Sequence, residues 1–126
     1  MNRILLADPN PALRSALALL IETRLDAQIV GQVSSLESLL REAAATDPGV
    51  IIVSLNLLGE PTQERIAALR RQAPLASILI SSARPESVSR TDGAAAFLCQ
   101  ADPPQTILDT LQTLFHRKSQ ERNNHV

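Results

Sequence analysis

The stretch Pro48-Gly49-Val50-Ile51-Ile52-Val53-Ser54-Leu55-Asn56 constrains the fold more than any other part of this chain. Val50 to Val53 is apolar without alternation, so a strand built from it must bury both of its faces. The centre of a parallel sheet with helices on both sides meets that condition. Pro48-Gly49 fixes where the run begins, and Ser54 closes it with a small polar side chain. In open α/β sheets the chemistry sits in the crevice beyond the carboxyl ends of the strands. Ser54 stands at that end of the expected central strand.

The rest of the chain supplies matching pieces in order. Arg3-Ile4-Leu5-Leu6-Ala7 reads as a first buried strand ending at Asp8-Pro9-Asn10-Pro11. Asn10 is a good N-cap, and Pro11 fits the first helical position, where a missing N–H costs nothing. Leu13, Leu17, Leu20 and Ile21 carry a first helix to about Arg24. Ala27 to Val33 is a second, less hydrophobic strand. Ser34 and Glu37 have capping-box spacing and open a second helix, striped by Leu36, Leu39, Leu40 and Ala43. After the central strand, Leu55 to Pro61 reads as a loop. Thr62 then caps a third helix with Ile66, Leu69 and Ala73 inward and Arg65, Arg70 and Arg71 outward. Ala76 to Ser81 is a fourth strand. Between Ser82 and Gly93 only Val88 is large and apolar, so any fourth helix there is short. Ala94 to Cys99 is the fifth strand. Asp102 caps a last helix, with Pro103 in its first turn and Ile107, Leu108, Leu111, Leu114 and Phe115 on its buried face.

Five βα units without a linker predict an α/β fold: a flavodoxin-like (βα)5, doubly wound, five-stranded parallel sheet of order 2-1-3-4-5 with right-handed crossovers. That order places the switch point between the first and third strands and brings Asp8 and Ser54 to one crevice. The 126 residues suffice for one core. The domain is expected over 1–116, with a polar tail over 117–126. The net charge of −1 excludes a global field that would draw the chain onto nucleic acid or an anionic membrane. Two phenylalanines are the whole aromatic content, too few for base-stacking platforms. The lone Cys99 excludes an internal disulfide. The amino terminus runs straight into a strand pattern and no apolar run reaches spanning length, so neither a leader nor a membrane anchor is expected and the cytoplasm is the default location.

Four segments carry a resemblance to a known family: Ile4-Leu5-Leu6-Ala7-Asp8, Pro48 to Asn56 with Leu57-Leu58-Gly59, Pro74 to Ser82, and Gly93-Ala94-Ala95-Ala96-Phe97-Leu98. In that order and at nearly the right spacing, they resemble the receiver domain of bacterial two-component response regulators, the CheY-like domains, especially those joined to helix-turn-helix transcription factors. The resemblance covers Arg3 to about Phe115. It implies a phosphorelay module whose chemistry needs two adjacent acids after the first strand to hold Mg²⁺, an aspartate ending the third, a Ser or Thr ending the fourth and a lysine after the fifth. A dianionic phosphoryl group meeting a carboxylate must be neutralised by metal and ammonium.

Residue by residue, this sequence keeps two of the five. Asp8 matches the first acid, a vestigial ligand position, but Pro9 replaces the second. Ser54 falls at the phosphoacceptor position. Ser82 matches the strand-four hydroxyl, and Gln100 replaces the lysine. Asn56 fits the position whose backbone carbonyl completes the metal site in the family, Phe97 matches the switch aromatic of the output surface, and Leu58 replaces the usual proline before Gly59. A serine hydroxyl is a poor nucleophile without a base or a metal. Mg²⁺ binding is therefore expected to be lost, with no other cofactor. The expected module is a pseudo-receiver, not an enzyme, that acts by contact with a protein partner, either another signalling protein or its own second copy. Contact with nucleic acid or membrane by this domain is not expected. Two other readings are an unorthodox phosphoacceptor and a small-ligand sensor using the vacated pocket. The plainer expectations are that Asp8 hydrogen-bonds loop N–H groups or Gln100, that Ser54 only closes its strand, and that Phe97 is packing. The segment from Ser82 to Gly93 is shorter than the family pattern by about one helical turn, roughly four residues, which would alter the output face.

Overall fold

The computed structural model describes residues 2–83 and 94–123. Its elements are β1 (Asn2–Ala7), α1 (Pro11–Arg24), β2 (Ala27–Val33), α2 (Leu36–Thr46), β3 (Val50–Ser54), α3 (Leu55–Leu58), α4 (Thr62–Gln72), β4 (Ser77–Ser82), β5 (Ala96–Cys99) and α5 (Pro104–Asn123). The five strands form one parallel sheet of order β2-β1-β3-β4-β5, as the strand and helix pattern predicts. Any helix between Ser82 and Gly93, and hence its expected shortening, falls on 84–93, outside the described residues.

The central strand behaves as its composition requires. All five residues of β3 are buried, and successive side chains enter opposite layers. Ile52 joins Ile4, Leu6, Leu79 and Leu98 against Ala18 and Ile21 of α1 and Leu111 and Leu114 of α5. Ile51 and Val53 join Leu5, Ile78 and Ile80 on the other face, under Leu39 and Ala43 of α2, Leu58 of α3, and Ile66 and Leu69 of α4. The outer strand β2 is irregular: its register against β1 shifts between Ile4 and Leu5. A side chain at Gly31 would meet the Leu5 Cδ1 at 3.0 Å, so a small residue lets Leu5 seat there.

The helix starts are where local reading needs correction. Asn10 caps α1 as expected, its Oδ1 accepting from the Ala12 and Leu13 N–H groups, with Pro11 first in the helix. The cap of α2 is Ser35 rather than Ser34, accepting from the Ser38 N–H at 3.2 Å. Leu55–Leu58 is a short helix rather than loop. Thr62 does not cap α4: it is already helical, and its hydroxyl donates to the Gly59 carbonyl at 2.9 Å. Arg65 is not simply outward-facing, because its Nη1 donates to the Leu58 carbonyl at 2.6 Å. The last helix begins at Pro104, so Asp102 lies before it and Pro103 is not yet helical. At its other end α5 runs to Asn123, through most of the expected tail. Lys118, the second residue of that tail, donates from Nζ to the Leu75 carbonyl at 3.1 Å and to the Ser77 Oγ at 3.3 Å. Residues 117–123 thus continue α5, and Lys118 ties that part of the helix to the start of β4.

Candidate functional site

The carboxyl ends of β1, β3, β4 and β5 meet on one edge of the sheet, and the helices that follow start there. The site residues are set by this edge. The Asp8 N–H donates to the Val33 carbonyl at 3.1 Å and the Gln100 N–H to the Ser82 carbonyl at 2.8 Å, so both extend their strands by one ladder bond. Ala7 is in register with Val53, and Ser54 with Ser81. Counting by twos from Leu6, Ile52, Leu79 and Leu98, which pack toward α1 and α5, the side chains of Asp8, Ser54, Ser81 and Gln100 take that same side. Ser82 alternates to the opposite face with Ile80. The edge therefore gathers Asp8, Ser54 and Gln100 as the sequence implies, and adds Ser81, which the sequence reading passed over. Strand alternation from Leu79 was the signal available for it.

The polar atoms at this edge are largely committed to the backbone. Asp8 is buried at 8% exposure, and its Oδ1 accepts from the Asn10 N–H at 2.8 Å. This is the loop N–H partner expected for it. Arg14, a second residue the sequence reading missed, lies one turn into α1 and donates from Nη1 to the Asp8 carbonyl at 2.7 Å. Its Nε is buried without a partner. Ser54 is 2% exposed, and its Oγ accepts from the Asn56 N–H at 3.2 Å, capping α3. A hydroxyl bonded to a neighbouring backbone group in this way closes a strand and starts a helical turn.

The other candidates are further apart in role. Asn56 is solvent-exposed on α3, and Pro9 is exposed in the loop after β1. Ser82 is buried at the end of β4. Phe97 packs with Ala94 against the layer containing Val53, Ile78 and Ile80, which is the packing role weighed for it. Cys99 is a free thiol, partly buried at the end of β5. His116 is on α5, and His125 is outside the described residues. Among the described residues, no three His, Cys, Asp or Glu side chains converge as a metal-holding group. Among them, too, no helix is long and apolar enough to cross a membrane.

No family model matches the chain. It is 30% identical over 116 residues to a nitrate/nitrite response regulator protein homolog of Haemophilus influenzae, covering 89% of this chain and 56% of that one. The chain thus spans about half the length of this relative. Among solved structures it is similar to the signal receiver domain of the response regulator NarL from Mycobacterium tuberculosis, with a TM-score of 0.77 and 21% identity over 90% of this chain and 94% of that one. It is also similar to a response regulator from Burkholderia pseudomallei that holds a phosphorylated aspartic acid, a calcium ion and citrate, with a TM-score of 0.72 and 24% identity over 100% of this chain and 74% of that one.

Proposed function

We propose that this chain, which has the CheY-like receiver fold of two-component response regulators, is a pseudo-receiver that signals by protein–protein contact without aspartyl phosphorylation. The observation that carries this reading is the state of the residue at the phosphoacceptor position. Ser54 offers a hydroxyl, not a carboxylate; the residue is 2% exposed and its Oγ accepts from the Asn56 N–H. Among the described residues no histidine serves it as a base: His116 is on α5, and the Asp8 carboxylate already accepts from the Asn10 N–H.

The neighbouring positions point the same way. Mg²⁺ prefers several oxygen ligands with at least one or two carboxylates. Asp8 is the one carboxylate at the vestigial acid pair, half of it is taken by the Asn10 N–H, and Pro9 adds no side-chain oxygen. The residues present do not fit the metal. Gln100 supplies an amide where the family's chemistry needs an ammonium. Arg14 brings a positive charge near the crevice, but its Nη1 is bonded to the Asp8 carbonyl. On this reading the module works in the cytoplasm, is not an enzyme, and contacts a signalling protein or a second copy of itself, with no nucleic acid or membrane contact of its own.

The test is incubation of the intact chain with acetyl phosphate and Mg²⁺, followed by intact-mass spectrometry. No phosphoryl adduct is expected. Stoichiometric modification in the crevice would overturn the reading in favour of an unorthodox phosphoacceptor, and an acid-stable adduct would place it on a serine such as Ser54.

A further inference from the structure

On its α1 and α5 side the crevice opens into a cleft of about 350 Å³. That size is at the small end of ligand-binding cavities, which span roughly 300–1,000 Å³. Its walls are apolar: Leu13, Leu17 and Leu20 of α1 face Leu98 of β5 and Ile107 of α5. Its polar groups are Asp8, Ser81, Gln100 and Asp102.

Ser81 is the telling member. It is 5% exposed and has no side-chain hydrogen bond among the described residues. Leu79, two residues earlier, packs with Leu98, Leu111 and Leu114, so strand alternation turns the Ser81 hydroxyl toward this cleft. That hydroxyl has no partner among the described residues to give up and is free to bond a polar group of a ligand in the cleft. Asp102, which lies before the start of α5, and Gln100 likewise make no side-chain hydrogen bond among the described residues. The unengaged groups include two carboxylate acceptors, Asp102 and the second oxygen of Asp8, beside the Ser81 hydroxyl and the Gln100 amide, which can each donate or accept.

We propose that this cleft binds a small amine, with its apolar body between α1 and α5 and its protonated head toward Asp8, Asp102 and Ser81. Two positive features oppose a cation here. The amino ends of α1 and α5 each carry roughly half a positive charge, and Arg14 is nearby. The two carboxylates outweigh the helix ends, and Arg14 is bonded to the Asp8 carbonyl and does not line the cleft. A carboxylate-bearing ligand of the same shape would meet two like charges and no lining cation. The proposal goes beyond the protein-contact reading and holds whether or not the crevice accepts a phosphoryl group.

The test is a titration of the ¹⁵N-labelled full chain by NMR with phenethylamine, 2-phenylethanol and phenylacetate, three probes sharing one apolar body. Saturable shifts are expected at Leu98, Gln100 and Ile107 with phenethylamine, at an affinity at least about tenfold above that of phenylacetate. Asp102→Asn should weaken the amine at least about threefold and leave the alcohol unchanged. Ala16→Trp adds bulk from an exposed position of α1 that lines the cleft. It should abolish the shifts from all three probes, with its own spectrum reporting that the fold is intact. Absence of saturable shifts with the amine, equal binding of phenylacetate, or amine shifts that survive Ala16→Trp in a folded variant would each overturn the proposal.

Discussion

Ser54→Asp is the substitution that asks most directly whether the crevice still suits the family's chemistry. Ser54 is 2% exposed, and the side of the sheet it faces also carries the buried Asp8. A carboxylate placed there loses its hydration and meets a like charge, with no lysine at Gln100 to balance it. Ser54→Asn is the control, because it has the same shape and can keep the bond to the Asn56 N–H. The charge alone then separates the two variants, by about 2–3 kcal/mol at neutral pH once residual hydration and the α3 amino end are allowed for. For a domain of this size that is a melting temperature lower by roughly 10 °C. The sign with pH follows from linkage. Burial and Asp8 raise the affinity of the new carboxylate for its proton in the folded state, so the folded chain binds more protons than the unfolded one. The deficit is present at neutral pH and shrinks as the pH falls through the raised folded value. Urea denaturation at pH 7 and at about pH 4.5, each variant against the other, measures it. Mg²⁺ should stabilise Ser54→Asp little, because Pro9 leaves the acid pair incomplete. Adding Pro9→Asp should restore a response: a dissociation constant of about 1 mM and Mg²⁺ at about 10 mM give about 1.4 kcal/mol. Equal stability of the Asp and Asn variants at pH 7, or Mg²⁺ stabilisation of the single Asp variant as large as that of the double, would refute the reasoning about the crevice.

Two further predictions concern the frame around the site. Gly59 has φ 68° and ψ −167°, a region essentially reserved for glycine, and a Cβ there would stand 2.8 Å from the Arg65 Nη1. Gly59→Ala should cost about 1–3 kcal/mol in urea denaturation, and a cost under a few tenths would show that the turn after α3 relaxes freely. Lys118→Ala removes the Nζ bonds to the Leu75 carbonyl and the Ser77 Oγ. It should cost about 0.5–1 kcal/mol and raise amide exchange in residues 75–77; no change in either would mean that the end of α5 is not anchored to β4.

How much was legible in the sequence varies with the range of the interaction that decides each feature. Val50 to Val53 announced a strand buried on both faces because nothing else can hide such a run, and the sheet order followed from alternating βα units with right-handed crossovers. The Asn10-Pro11 start of α1 was equally local. Helix starts without one dominant signal slipped by a residue or two: Ser34 and Ser35 are both capping residues, and only the backbone angle chosen by packing picks Ser35. The extension of α5 was not legible, because its last turns are polar and the anchor at Lys118 is a contact 41–43 residues distant in sequence.

The candidate site divides along the same line. The sequence by itself determined which chemical groups the crevice can contain: one carboxylate at Asp8, a hydroxyl at Ser54, an amide at Gln100 and a proline at position 9. Residue identity is local, and no folding changes it. The tertiary structure decided which of those groups are still available. It spends the Ser54 hydroxyl on the start of α3 and half of Asp8 on the Asn10 N–H, draws Arg14 onto the Asp8 carbonyl, and turns Ser81 toward an apolar cleft. Hydrogen bonding and burial depend on what the other strands and helices bring to the same few ångströms, and that is set only when the sheet assembles.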